Sequence, residues 1–217
     1  MRLGEPVAAL RAVRRAIRDG WDALFVVGAL NVAWLGLSVT VILLPPATVA
    51  LFESMDELAS GRTPGLREYF GFVRRRFIRA WLWALWAIAG MTVASVNIQY
   101  WSDTGGSLVW LSAASAVIGV LFSVSVLYVW PFLFRQTEGG LVRAIRNSIL
   151  AVLAAPLFAL TLAVAIVALV AVSAILILPL AVFLTALLGL IATHAVTDRL
   201  RAFGKLPERA SLEEPGD

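Results

Sequence analysis

Trp21-Asp22-Ala-Leu-Phe-Val-Val-Gly28-Ala-Leu-Asn31-Val-Ala-Trp34-Leu-Gly-Leu-Ser38-Val-Thr40-Val-Ile-Leu-Leu44-Pro45-Pro46-Ala47-Thr48 sets how the chain is threaded. Beyond Asp22 the stretch carries no charge, and as a helix rising about 1.5 Å per residue it is long enough to cross about 30 Å of hydrocarbon. It reads as the first membrane span. Pro45 and Pro46 are expected to end it, because neither has a backbone N–H and the residue before a proline is pushed out of the α region.

The composition agrees with this reading. Hydrophobic residues make up 60% of the 217-residue chain and charged residues 15%, and the mean hydropathy is +0.88, far from the range of soluble domains. Cysteine is absent, which removes disulfides, thiolate catalysis and Cys-ligated metals. A single histidine, His194, leaves no material for a multi-histidine metal site. The net charge of +4 does not point to nucleic acid, since the basic residues flank apolar spans and act as orientation signals there. The basic N-terminus and first apolar run are read as a retained span, because the run is too long for a signal peptide and no small-x-small cleavage site follows.

Residues 46–61 decide the topology. The segment is short, about 24 Å as a helix, and carries Glu53, Asp56 and Glu57 in its later half. If it does not cross the membrane, the arginines of residues 2–18 lie on the opposite side from those of residues 62–79. If it crosses, the basic residues fall in groups of five, six, three and four that together account for all 18 Lys and Arg, all on one side. The expectation is therefore an all-α, polytopic helical bundle. It has six membrane helices, the second one short, with cytoplasmic amphipathic helices and both termini in the cytoplasm. Residues 1–200 form one domain, and residues 201–217 a polar cytoplasmic tail.

Along the rest of the chain, residues 7–20 place Leu10, Val13 and Ile17 on one helical stripe and arginines elsewhere, as in an interfacial amphipathic helix. A basic helix from Leu66 is expected to lie along the interface and then bend into a third span at residues 80–100, which aromatic residues mark at both ends. The fourth span covers residues 107–134. An amphipathic segment follows from Leu141, and the fifth and sixth spans are expected at about 151–172 and 173–197, because one helix over both would be more than twice a bilayer thick. Gly65-Leu66 and Gly140-Leu141 open similar basic segments, a faint internal echo.

Ionisable residues inside membrane segments are functional candidates, so Glu53, Asp56 and Glu57 come first. They could coordinate a cation or relay protons, or pair with Arg62 and the arginines of residues 67–79. Asn31 lies mid-span, where an amide needs an internal partner, and an interhelical hydrogen bond is expected. His194 precedes Asp198 by one turn, and a local contact between them is expected. No serine-histidine-aspartate set, HExxH or phosphate loop is present, so no catalytic, cofactor-binding or metal residue is assigned.

Asn31, Trp34, Leu44-Pro45-Pro46-Ala47-Thr48, Gly61 and Phe70 before a basic helix resemble the YesL-like family of bacterial integral membrane proteins, the domain of unknown function 624. The motifs cover about the first 100 residues. The resemblance implies a multi-pass protein of the bacterial cytoplasmic membrane, often encoded beside carbohydrate uptake genes, with no established activity and no catalytic residues. The expected role is a non-enzymatic accessory of carbohydrate transport, its partners the lipid bilayer and sugar ABC transporter subunits. The alternative is a small secondary transporter or channel that uses the acids of the second helix. The candidate residues are Asn31, Pro45, Pro46, Thr48, Glu53, Asp56 and Glu57.

Overall fold

The computed structural model describes residues 5–136, 140–175 and 179–204, and over them the chain is all-α. Its helices are α1 (Glu5–Asp22), α2 (Leu24–Ser38), α3 (Leu44–Ala59), α4 (Leu66–Thr104), α5 (Trp110–Arg135), α6 (Leu141–Ala154), α7 (Pro156–Ile175) and α8 (Pro179–Ala202). Among the described residues, four helices are long and apolar enough to cross a membrane by length and composition, or five if α1 and α2, bent by 92°, count as one broken span. The expectation of six differs from this count for two reasons. α3 has 16 residues and carries three acids. α2 has 15 residues, about 22 Å, shorter than the hydrocarbon core.

The first apolar run is thus shorter as a helix than its sequence implies. α2 stops at Ser38, and residues 39–43 form turns closed by the bonds Thr40 N–H to Leu37 O and Leu43 N–H to Thr40 O. The run Val39-Thr40-Val41-Ile42 is β-branched, which weakens its hold on a helix. Pro45 and Pro46 do not end α2; they lie in the first turn of α3, where a missing N–H costs nothing and the fixed φ suits a helix.

α3 is the centre of the bundle. Pro46, Ala47 and every residue from Val49 to Met55 are buried, so the helix has no face left for lipid along this stretch. It packs on α4, α8, α2 and α5. Gly189 of α8 lets that helix come close: a Cβ there would meet Phe52 at 3.1 Å and Met55 at 3.2 Å. Gly61, in the left-handed region at φ 84°, follows the last turn of α3.

α4 runs without interruption for 39 residues, about 58 Å. The expected bend near residue 80 is absent, since nothing from Leu66 to Thr104 breaks the hydrogen-bond ladder. Gly65 precedes it in extended conformation, with its N–H held by Glu68 Oε2 at 3.0 Å. Gly140 starts α6 in the same extended conformation, but α6 ends at Ala154, because Pro156 forces Ala155 out of the helix at φ −144°. The fifth span therefore begins at Pro156, later than expected, and α8 continues through Asp198 to Ala202, beyond the expected end of the sixth. The rest of the expected tail, from 205 onward, lies outside the described residues.

On α1 the side chains packed into the bundle are Ala9, Ala12 and Ala16, against α8 and α7. Leu10 and Ile17 are exposed together with Trp21, beside the exposed Arg11, Arg14 and Arg18. The helix therefore has three faces: a small one inward, an apolar one and a basic one outward.

Beyond the bundle core, α4 and α5 pair as two arms. Trp86 tilts on Phe122 at 4.8 Å, and a Cβ at Gly119 would meet the Ala94 methyl at 3.2 Å. A Cβ at Gly90 would overlap the Phe122 ring. Gly90→Ala is expected to cost about 1–3 kcal/mol of stability, measured by thermal unfolding in detergent. In a Phe122→Ala background the same change is expected to be nearly neutral, since the overlap is then gone.

Candidate functional site

The last two turns of α3 carry three acids, and each meets an arginine. Glu53 is buried and accepts from Arg76 through both oxygens, Nε to Oε2 and Nη2 to Oε1 at 3.0 Å each, while Arg75 Nη2 reaches Oε1 at 2.8 Å. Fork-to-fork pairing of this kind is the strong form of a charge-assisted bond. The two arginines also lie over rings, Arg75 on Phe72 at 5.1 Å and Arg76 on Phe134 at 5.8 Å. Asp56 pairs with Arg135 of α5 at 2.8 Å and accepts from the Thr193 hydroxyl of α8 at 3.3 Å. Glu57 pairs with Arg62 at 3.0 Å across the turn that ends α3.

A second set of pairs continues this layer onto α1 and α8. Arg15 makes two bonds to Asp198, at 3.1 and 3.0 Å. His194 Nε2 lies 2.7 Å from Asp19 Oδ2. The expected contact of His194 with Asp198 is therefore not made: the aspartate one turn on is taken by Arg15, and the helix crossing α8 supplies another. Arg199 is buried with its guanidinium 3.9 Å from the centre of the Phe158 ring. The ends of α3, α5 and α8, the beginning of α4 and the middle of α1 thus meet in one ionic layer. The exposed arginines of α1, α4 and α6 surround the same end of the bundle.

The other candidates lie away from this layer, toward the start of α3. Thr48 accepts from Trp34 Nε1 at 3.0 Å and donates to Leu44 O at 2.8 Å, which ties α2 to the first turn of α3. The proline pair shapes that turn. Asn31 is fully buried, but its amide donates within its own helix, to Val27 O at 2.8 Å, and its Oδ1 has no partner among the described residues. The expected interhelical bond from Asn31 is not formed.

Glu57 and Glu53 find partners among the arginines that proximity in sequence nominates. Arg135, Arg15, Asp19 and Thr193 are the members that sequence reasoning missed. One signal was present: Arg15 and Asp19 share a helical face with Ala12 and Ala16, which places charge on the small, packed side of α1.

Glu53→Gln is expected to lower stability in detergent by about 3 kcal/mol or more, because it strands Arg76, whose side chain is 18% exposed. Glu57→Gln is expected to cost less than about 1 kcal/mol, since Arg62 is 72% exposed. Chemical or thermal unfolding of the two variants side by side measures the contrast.

Residues 27–98 match the family model described as "Protein of unknown function, DUF624". No curated protein and no solved structure matches the chain. The matched stretch holds most of α2, all of α3 and α4 as far as Ile98, and with them Asn31, Trp34, Pro45, Pro46, Thr48 and the acids of α3. Over residues 27–98, then, about a third of the chain, the sequence is similar to the domain of unknown function 624.

Proposed function

We propose that the chain is a multi-pass protein of the bacterial cytoplasmic membrane and a non-enzymatic accessory that docks partner subunits at its basic, cytoplasmic end. What carries this reading is the engagement of Glu53, Asp56 and Glu57 by arginines from α4, α5 and the turn between α3 and α4. Acids that serve a transport path must exchange partners with a cargo. These are committed to internal pairs, which make that end of the bundle rigid. Around it the exposed Arg67, Arg74 and Arg79 of α4 and Arg146 of α6 offer cations to an acidic partner surface.

In this reading α3 crosses the bilayer as the short second of six membrane helices, and both termini lie in the cytoplasm. The ionic layer supports that placement, since it gathers basic segments from across the chain at one end of the bundle, in line with the positive-inside tendency. α1 then lies on the membrane surface, with Leu10, Ile17 and Trp21 toward the acyl chains and its outer arginines toward the headgroups. The partners in this reading are subunits of a sugar ABC transporter. The support for carbohydrate uptake is the family resemblance.

Reporter tags at Met1 and at Gly65 are expected to report the same, cytoplasmic side; opposite sides overturn the six-helix arrangement. Purification from the native membrane in mild detergent is expected to recover a transporter subunit. Changing Arg67, Arg74 and Arg79 to Glu is expected to reduce its capture several-fold. Isolation of the protein with no partner at all, under conditions that preserve the bundle, overturns the accessory role.

A further inference from the structure

A partly enclosed cavity of about 260 Å³ opens inside the ionic layer, walled by Arg15, Arg135 and Arg201 from three helices together with Ser60, Thr193 and Thr197. At about 30 Å³ per water, it has room for a small oxyanion and several waters. His194 also lines it, and among the described residues no carboxylate does. Asp56 holds Arg135 and Asp198 holds Arg15, which fixes both guanidinium groups at the cavity wall.

Charge in the layer is unbalanced. Around the cavity, Arg15, Arg135, Arg199 and Arg201 stand beside three carboxylates, of which Asp56 and Asp198 pair with arginine and Asp19 is taken by His194, so there is one guanidinium more than the carboxylates. Arg201 is the least neutralised of the cavity's cations. Among the described residues its nearest carboxylate oxygen, on Asp198, lies 4.0 Å away and already serves Arg15, and its buried Nε–H has no partner. Arg199, two residues before it, is buried against a ring with no carboxylate partner among the described residues. The hydroxyls of Ser60 and Thr197 donate to the carbonyls of Asp56 and Thr193. The donors left for a ligand are therefore guanidinium N–H groups, the chemistry that recognises tetrahedral oxyanions.

We propose that this cavity is an anion-binding site for a phosphate group, carried either by free phosphate or by the headgroup of an anionic lipid. The site is independent of any docking role for the outer arginines.

The test uses the full chain, purified and delipidated in neutral detergent. In one arm, inorganic phosphate is titrated against chloride at matched ionic strength and followed by calorimetry. In the other, the protein is placed in nanodiscs of phosphatidylcholine with or without phosphatidylglycerol, and retained lipid is read by native mass spectrometry. Saturable one-site binding is expected in at least one arm. It should weaken about tenfold or more in Arg201→Gln, as loss of a charged hydrogen bond requires. It should stay within a few-fold in Arg201→Lys and be unchanged in Arg74→Gln. Thr197→Ile, which fills the cavity and removes no charge, should also block binding, so that loss of charge and loss of space are read separately. Binding of phosphate itself assigns a free anion, while retention of phosphatidylglycerol alone assigns a headgroup. Binding in neither arm, or equal loss in Arg74→Gln and Arg201→Gln, overturns the site.

Discussion

Burial of a carboxylate away from water costs several kcal/mol unless a cation with good geometry meets it. α3 carries Glu53, Asp56 and Glu57 at the end of the most enclosed helix of the bundle, and Glu53 itself is buried. The placement of several neighbours follows from that cost. α4 must bring Arg75 and Arg76 alongside α3, α5 must end with Arg135 beside Asp56, and α8 must present Thr193 to the same carboxylate. Each requirement sets how far along its axis a helix sits, which apolar packing alone leaves loosely determined. Buried ion pairs are weak evidence for net stability but good devices for register.

The two ends of the molecule are held together by different forces. At the ionic end, short charged bonds join five helices, and Arg75, Arg76 and Arg199 each lie over an aromatic ring. Toward the far end, α4 and α5 keep each other company through ring stacking and close glycine contacts, and much of α4 faces outward with Leu82, Leu85, Ile88, Val93 and Val96 exposed. Such a face suits a lipid environment, where no hydrophobic force draws it inward.

Much of the candidate site was legible before any geometry. Acids inside a short apolar helix stand out because they are expensive, and arginines five residues or one turn-and-helix away are natural partners. Glu57 with Arg62, and Glu53 with Arg75 and Arg76, follow from that. Arg135 with Asp56, and Asp19 with His194, do not, because they join residues far apart in sequence whose approach depends on how helices cross. Asn31 shows the opposite failure. Its mid-span position implied a partner on another helix, but its Nδ2 donates to the carbonyl of Val27 one turn back, and its Oδ1 is left without a partner among the described residues.

By itself, the chain's pattern of apolar runs, prolines and glycines determined that the protein is helical, where most helices begin, and that its charge is segregated between spans, because these depend on local backbone chemistry and on composition. Tertiary structure decided the rest. It closed α2 at Ser38, ahead of the prolines, bent α1 from α2 by 92°, kept α4 in one piece and chose Asp19 over Asp198 for His194. The reason is the same in each case: local preferences there differ by only a kcal/mol or so per residue, and burying α3 with its acids matched by distant cations outweighs them.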